Sequence, residues 1–205
     1  MCEHSERRRR LFSNLTGRVV EIGAGTGPTF PHYPPAVTSV VAVEPDPRRR
    51  AMAERAARGA RVPIEVVGAV AEALPIGDDA VDAAVTSLAL CSVADLTGAL
   101  AELRRVLRPL GELRFFEHVI AERGPLRLLQ RVAAPVYART SDGCHIARDT
   151  LAAIVDTGFT IEECRRFMHA DGRLEPAIPH VIGTARLWGP SKNTGTTIFG
   201  RTLSG

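Results

Sequence analysis

A glycine-rich turn between two acidic residues is the part of this sequence with the clearest chemical use. The segment Glu21-Ile-Gly-Ala-Gly-Thr-Gly27 follows a short apolar stretch that reads as a β-strand. Glycines at such a position let the backbone approach a ligand closely. Glu44 ends the next strand-like stretch, where a carboxylate can accept hydrogen bonds from ribose hydroxyls. Together these residues indicate a site for an adenosine-containing cofactor.

The spacing of the glycines separates two classes of cofactor. A dinucleotide turn has the pattern G-x-G-x-x-G and opens a helix. Counting from Gly23 and Gly25, the third glycine is replaced by Pro28, and three more prolines follow within seven residues. A long helix with its dipole facing a pyrophosphate is therefore not expected. The Glu21 carboxylate would repel a phosphate but suits the ammonium group of a methionine moiety, which favours S-adenosylmethionine.

Strand-like and helix-like segments alternate along the chain and must position these residues. The predicted strands are Val19–Ile22, Val37–Val43, Ile64–Val67, Val81–Thr86, Leu113–Val119, Phe159–Cys164 and His180–Leu187. The predicted helices are residues 7–15, 47–57, 96–107, 126–138 and 149–157. This alternation predicts an α/β, Rossmann-like fold: a seven-stranded, mostly parallel sheet with an antiparallel edge strand and helices on both faces. Ligands of such sheets bind at the carboxyl ends of the strands.

Five successive stretches resemble the class I S-adenosylmethionine-dependent methyltransferases. They are VVEIGAGTG, VVAVEPD, AVAEALPIGDDAVDAAV, LALCSVADLTGALAELRRVLRPLG and ELRFFEHV, and together they span roughly residues 18–119. Farther along, SDGCHIARDTL and IPHVIGTAR resemble a narrower branch, the small methyltransferase-like proteins that methylate alkyl thiols in animals, with their bacterial relatives.

The resemblance implies a set of cofactor-binding residues. The methionine end would lie against Glu21, Gly23, Ala24, Gly25, Thr26 and Gly27, the ribose against Glu44 and Pro45, and the adenine against Ala71 and Glu72, with Ser87 and Leu88 on the other side. Many relatives carry an acid at the position of Val70 to pair with the adenine amino group, so adenine must here rely on backbone groups and apolar packing. The usual Pro-Gly-Gly turn reads Pro109-Leu110-Gly111, a change expected to affect only a surface turn.

The acceptor side has fewer candidates. His118 is the best general-base candidate because the pKa of imidazole lies near working pH. Substrate contacts are expected from Cys91, Ser92, Cys144 and His145, and an apolar pocket could be walled by Phe12, Phe30, Tyr33 and Tyr137. A metal site of Glu117, His118 and His145 is conceivable, but no compact ligand spacing supports it, so no metal is expected.

Composition limits the classes of protein to which the chain can belong. The 205 residues, 45% hydrophobic and 24% charged, suit one globular domain. We expect a partial N-terminal cap at residues 1–17, the methyltransferase domain at 18–188 and a disordered tail at 189–205. Because only 18 residues precede Val19, the membrane anchor of animal members and much of the cap are expected to be missing.

Charge and apolar patterning further bound the partners. The net charge is +3, Lys192 is the only lysine, and no base-reading patch is evident, so no nucleic-acid partner is expected. No apolar run is long enough for a membrane span, which predicts a cytoplasmic protein. Arg7–Arg10 with Leu11 and Phe12 could still give a peripheral contact with an anionic membrane.

These observations predict methyl transfer from S-adenosylmethionine to a small, apolar acceptor by in-line displacement, with a thiol first and an oxygen or amine next. Two alternatives stay open at this point. One is a nicotinamide-linked oxidoreductase on a similar sheet, and the other is a non-catalytic module that binds a cofactor or a partner. The sequence does not indicate the oligomeric state.

Overall fold

A seven-stranded sheet forms the centre of the molecule. The computed structural model describes residues 9–170 and 177–187. The strands are β1 (Gly17–Ile22), β2 (Val37–Val43), β3 (Ile64–Val67), β4 (Val81–Ser87), β5 (Leu107–His118), β6 (Phe159–His169) and β7 (Ile178–Leu187). Their order across the sheet is β3-β2-β1-β4-β5-β7-β6.

Helices begin where the sequence offers a capping side chain or a proline. They are α1 (Pro47–Ala57), α2 (Leu96–Val106), α3 (Pro125–Thr140) and α4 (Thr150–Asp156). The Asp46 carboxylate caps α1 by accepting the N–H groups of Arg48 and Arg49, and Asp95 caps α2 through the N–H of Thr97. These backbone bonds, that to Arg49 foremost, hold the pKa of Asp46 below its ordinary value. After the glycine turn, the proline-rich stretch forms only a 3-10 turn, Phe30–His32, as its prolines predicted.

Apolar side chains cover both faces of the sheet. One face packs α2 and α4 through residues such as Leu100, Leu103 and Ile154. The other face carries Phe12, Phe30 and α1. Because β2 and β3 lie on one side of β1 and β4 lies on the other, the chain reverses its direction of travel between β1 and β4. In such sheets this switch point is where ligands bind, at the carboxyl ends of the strands.

The predicted mostly parallel sheet is confirmed, with its antiparallel pairing on one side. β1, β2, β3, β4 and β5 pair in parallel, whereas β7 runs antiparallel to both β5 and β6. β5 begins at Leu107, immediately after α2, and earlier than predicted. The Pro109-Leu110-Gly111 turn lies inside this strand as an irregularity, with Leu110 at φ +66° and a register shift opposite Val81 and Ala83.

The N-terminal segment corrects one expectation. Leu11 and Phe12 are 2% and 1% exposed and belong to the core, with the Phe12 ring edge-on to Tyr33. Their side chains are therefore unavailable for the predicted contact with a membrane. In the described part of the chain, no helix is long and apolar enough to span a bilayer. The predicted tail, residues 189–205, lies outside the described residues, and the domain boundaries stay predictions.

Candidate active site

A cavity of about 590 Å³ lies at the carboxyl ends of β1, β2 and β4. Its volume falls in the range typical of sites for small molecules and cofactors. The glycine turn and Glu44 form one side, the segment after β4 forms another, and the C-terminal end of α3 covers it. The cavity therefore coincides with the topological switch point.

The glycine turn brings bare backbone to the cavity surface. Gly23 has φ +67° and donates its N–H to the Val43 carbonyl at 2.9 Å. A Cβ at Gly23 would lie 2.7 Å from the Ala89 side chain, so the turn and the segment after β4 can approach only through a glycine. A Cβ at Gly25, which has φ +58°, would have no atom within 4 Å, so there is open space beside this residue for a ligand.

Glu44 lines the cavity beside the glycine turn. Its Oε2 accepts the N–H of Gly25 at 2.8 Å, and its Oε1 accepts the N–H of Asp46 at 2.9 Å. The carboxylate thus joins the glycine turn to the cap of α1. Each carboxylate oxygen has two lone pairs, so both can also accept a ligand hydroxyl.

Glu21 lies beneath the glycine turn and is not among the residues that line the cavity. It is 1% exposed, and its two oxygens accept hydrogen bonds from Thr29 Oγ1 at 2.6 Å and Tyr33 OH at 2.8 Å. Burial, reinforced by the Glu21 charge, raises the pKa of Tyr33 well above its ordinary value. The carboxylate holds the turn from beneath, and its direct contact with a cofactor ammonium stays a prediction.

The far end of the cavity is lined by Val70, Ala71 and Glu72, which follow β3. Glu72 Oε1 accepts the N–H of Asp95 at 2.9 Å and so fixes this loop to the start of α2. Val70 is 47% exposed and presents an apolar side chain to the cavity. This end suits a flat, largely apolar ring.

A buried carboxylate fixes the segment after β4. Glu117, at the end of β5, accepts the N–H groups of Ala89 and Cys91, each at 3.2 Å. Burial raises the pKa of Glu117 above its ordinary value, although these hydrogen bonds oppose the shift. Leu88 lies just before this segment at φ +57°, with its N–H bound to the Phe116 carbonyl. Glu117 thus positions backbone on the cavity wall without lining the cavity.

Three buried side chains meet at one end of the cavity, near Tyr137 of α3. His118 Nδ1 lies 3.0 Å from Cys144 Sγ and 3.6 Å from Cys91 Sγ. The hydrogen bond with Cys144, together with burial, raises the pKa of Cys91 well above its ordinary value. The His118 ring also packs edge-on to His180, with ring centroids 4.3 Å apart. The sequence predicted each of the three as a site residue but did not predict that they touch.

Of the residues that cover the cavity, the sequence suggested Tyr137 as part of the wall but not Thr140, Ser141 or Asp142. Tyr137, Thr140, Ser141 and Asp142, at the end of α3 and just beyond it, all line the cavity. Asp142 accepts a 2.6 Å ion-pair hydrogen bond from Arg49 of α1, across the cavity mouth. The sequence around Arg49 indicates only a solvated helix face. It does not predict Asp142 as a partner, because Asp142 lies 93 residues away along the chain.

The structure places most of the predicted site residues on the cavity wall. Those that line it are Gly23, Gly25, Glu44, Pro45, Ala71, Glu72, Leu88, Cys91, Ser92, His118 and Cys144. Among the described residues, the predicted positions outside the lining are Glu21, Ala24, Thr26, Gly27, Ser87 and His145. Of the four aromatic residues suggested as pocket walls, only Tyr137 lines the cavity. Phe12, Phe30 and Tyr33 are buried in the core.

Comparison with known proteins places this geometry in context. Residues 20–115 match the family described as a methyltransferase domain. Thiol S-methyltransferase TMT1B of Rattus norvegicus is 33% identical over 193 residues, which cover 87% of this chain and 78% of the relative. Thiol S-methyltransferase TMT1A of Homo sapiens is 32% identical over 193 residues, covering 88% and 78%.

A solved structure supports the fold. A SAM-dependent methyltransferase from Methanosarcina mazei superposes with a TM-score of 0.65 at 18% identity, covering 92% of this chain and 98% of the other. At this level of identity the likeness concerns the fold alone.

Proposed function

The chain belongs to the class I S-adenosylmethionine-dependent methyltransferases, and we propose that it methylates the sulfur of a small, apolar thiol. The cofactor and the reaction follow from the family. The observation that carries the proposed acceptor is the match to thiol S-methyltransferases over most of both chains. The nicotinamide-linked alternative is not favoured, because Pro28 stands where the dinucleotide pattern needs its third glycine and only a short 3-10 turn follows.

We propose a cofactor orientation from the cavity lining. The ribose hydroxyls bind the Glu44 carboxylate, and the methionine end runs along the backbone of Gly23 and Gly25. The adenine lies between Val70 and Ala71, held by apolar contact. In this orientation the sulfonium methyl points toward the end of the cavity that Cys91 and His118 line, which is the acceptor end.

Methyl transfer to a thiol requires mainly that the protein align the acceptor sulfur with the sulfonium methyl group. In the displacement, a bond forms from the acceptor sulfur to the methyl carbon and the bond from that carbon to the sulfonium breaks, leaving S-adenosylhomocysteine. A thiol with a pKa of about 8.5 supplies some thiolate at neutral pH without a dedicated base. An alcohol would need a base. Holding the reactants in line and excluding water are therefore the main tasks of the site.

The surroundings of the proposed acceptor support a small apolar molecule. Ser92, Val93 and Tyr137 line this end of the cavity beside the buried Cys91. A charged acceptor would lose its hydration here with few partners to replace it. That the protein is cytoplasmic, and that no nucleic acid takes part, stay predictions.

The experiment compares acceptors that differ in one atom. The protein is incubated with deuterated-methyl S-adenosylmethionine and with an alkyl thiol, alcohol or amine of the same carbon skeleton, and products are identified by mass spectrometry. We expect the labelled thioether at a kcat/KM at least about tenfold above that of either analogue. Transfer to the alcohol or amine but not to the thiol would contradict the proposal. Heat-denatured protein controls for uncatalysed methylation.

A further inference from the structure

We propose that Cys91, His118 and Cys144 form a binding site for a zinc ion at the acceptor end of the cavity. The ligand atoms, two thiol sulfurs and one imidazole nitrogen, all lie within 4.8 Å of one another. All three residues are buried and all three line the cavity. No local sequence pattern indicates this set, because its members lie 27 and 26 residues apart along the chain.

The distances suit a tetrahedral ion. Zn–S bonds of about 2.3 Å and Zn–N bonds of about 2.1 Å place neighbouring ligand atoms roughly 3.6 Å apart. His118 Nδ1 is 3.6 Å from Cys91 Sγ and 3.0 Å from Cys144 Sγ. To suit an ion, the two nitrogen–sulfur distances therefore need to change by no more than about 0.6 Å, within the reach of side-chain rotation. Two sulfurs and a nitrogen form a donor set that binds zinc in preference to magnesium or calcium.

The backbone around the three ligands is already fixed. Cys91 is held by its N–H bond to Glu117 and by its carbonyl, which accepts the N–H of His145 at 2.8 Å. His118 lies in the register of β5 opposite His180 of β7. Cys144 donates its N–H to Ser141 at 2.9 Å. A preformed set of ligands lowers the ordering cost of binding, and an ion here would tie the segment after α3 to β5.

Three protein ligands leave one coordination position of zinc open, as in catalytic rather than structural sites. Because the cluster lines the cavity, that position faces the space proposed for the acceptor. We infer that it binds the acceptor thiol as a thiolate, an inference that rests on the proposed function. The thiol proton passes to solvent when the sulfur binds zinc. The sulfur then forms its bond to the methyl carbon, the sulfonium bond breaks, and the neutral thioether leaves the ion.

Titration with Co²⁺ tests for this site directly, because cobalt bound to thiolates absorbs visible and near-ultraviolet light. The full chain is prepared with Cys2→Ser and Cys164→Ser, which leaves Cys91 and Cys144 as its thiols. Cys164 is exposed on β6 and takes no part in the cluster. The reduced, metal-free parent is titrated with Co²⁺ and then with Zn²⁺. We expect one equivalent of cobalt, thiolate-to-cobalt charge-transfer absorption, intense tetrahedral visible bands, and displacement by zinc.

Single substitutions in this parent identify the ligands. Cys91→Ser, Cys144→Ser and His118→Gln should each weaken cobalt binding at least about tenfold, and circular dichroism reports whether each variant is folded. The parent carries no change at the cluster, so its titration is informative whatever the variants do. No charge-transfer absorption in the parent, or absorption that survives both cysteine substitutions in folded protein, would overturn the site.

Activity separates this proposal from the proposed function. We expect the zinc-loaded parent to methylate the alkyl thiol at least about tenfold faster than the metal-free parent. Equal thiol methylation by both forms would overturn the role of zinc and leave the proposed function standing. A cobalt site in a protein that methylates no thiol in either form would leave the metal site standing and overturn the proposed function.

Discussion

Two glutamates near neighbouring strand ends differ in their position along the strand, because Glu21 lies within β1 whereas Glu44 lies just beyond β2. Both Glu21 and Glu44 read in the sequence as cofactor ligands. Side chains alternate between the faces of a strand, and Ile22 lines the cavity, so Glu21 points to the opposite face and meets Thr29 and Tyr33. Glu44 follows its strand directly and reaches the cavity. The glycine pattern predicts the turn but does not indicate which of the two acids lines the cavity.

Substitution of Glu44 tests the ribose contact. Glu44→Gln removes the charge and sets an amide NH₂ against a backbone N–H, either that of Gly25 or that of Asp46. We expect the affinity for S-adenosylhomocysteine to fall at least about tenfold, the scale of one charged hydrogen bond. Isothermal titration calorimetry measures it. Glu65→Gln, at an exposed position of β3, is the matched control, and equal affinities in the two variants would refute the ribose role.

Substitution of Tyr33 tests the buried pair beneath the turn. The pKa of Tyr33 is raised, so above about pH 10 an unfolded tyrosine loses its proton while the folded one keeps it. The stability of the wild type should therefore fall as the pH rises beyond 10, by up to about 1.4 kcal/mol per pH unit from this group. Tyr33→Phe should remove that part of the slope. Urea unfolding at several alkaline pH values measures it, and identical slopes would contradict the assignment.

At the scale of elements, two contacts between distant segments shape the cavity, one on its wall and one across its mouth. Glu117 of β5 fixes the backbone after β4, and Asp142 after α3 pairs with Arg49 of α1. A charged residue following two phenylalanines at the end of an apolar strand was a visible sign of the first contact. The second had no sign, because both partners sit in exposed, polar stretches of ordinary composition.

Glu117→Gln tests the fixing of the segment after β4. The amide keeps one acceptor but places its NH₂ against one of the N–H groups of Ala89 and Cys91. A buried unsatisfied donor costs about 1–3 kcal/mol. We expect the free energy of unfolding in urea to fall by about that amount, and kcat to fall with it because the cavity wall moves. A variant as stable and as active as the wild type would show that Glu117 does not fix this segment.

Asp142→Asn tests the ion pair across the cavity mouth. Asparagine tolerates the φ of +50° at this position, so the substitution removes only the charge. The pair is exposed, so the stability should change by less than about 1 kcal/mol. We expect S-adenosylhomocysteine to dissociate a few times faster in stopped-flow measurements at low salt, with the difference vanishing at high salt. Arg49→Gln should match it, and the double variant should add nothing further. Additive effects would contradict the pairing.

At the scale of the whole molecule, the sequence predicted the sheet well and the contacts across the site poorly. Short runs of apolar and β-branched residues predicted all seven strands, although β5, β6 and β7 extend beyond their predicted bounds. The early start of β5 was missed because Pro109 and Gly111 read as a stop between a helix and a strand, whereas the strand absorbs them. The cluster of Cys91, His118 and Cys144 depends on three segments converging, which local patterns do not encode.

Every role proposed for these residues depends on the cavity at the carboxyl ends of β1, β2 and β4 being the S-adenosylmethionine site. Calorimetric titration of the purified chain with S-adenosylhomocysteine, and separately with NADH, tests it most directly. We expect one site per chain with a dissociation constant on the order of micromolar for the first and no heat of binding for the second. Binding of NADH with no binding of S-adenosylhomocysteine would contradict it.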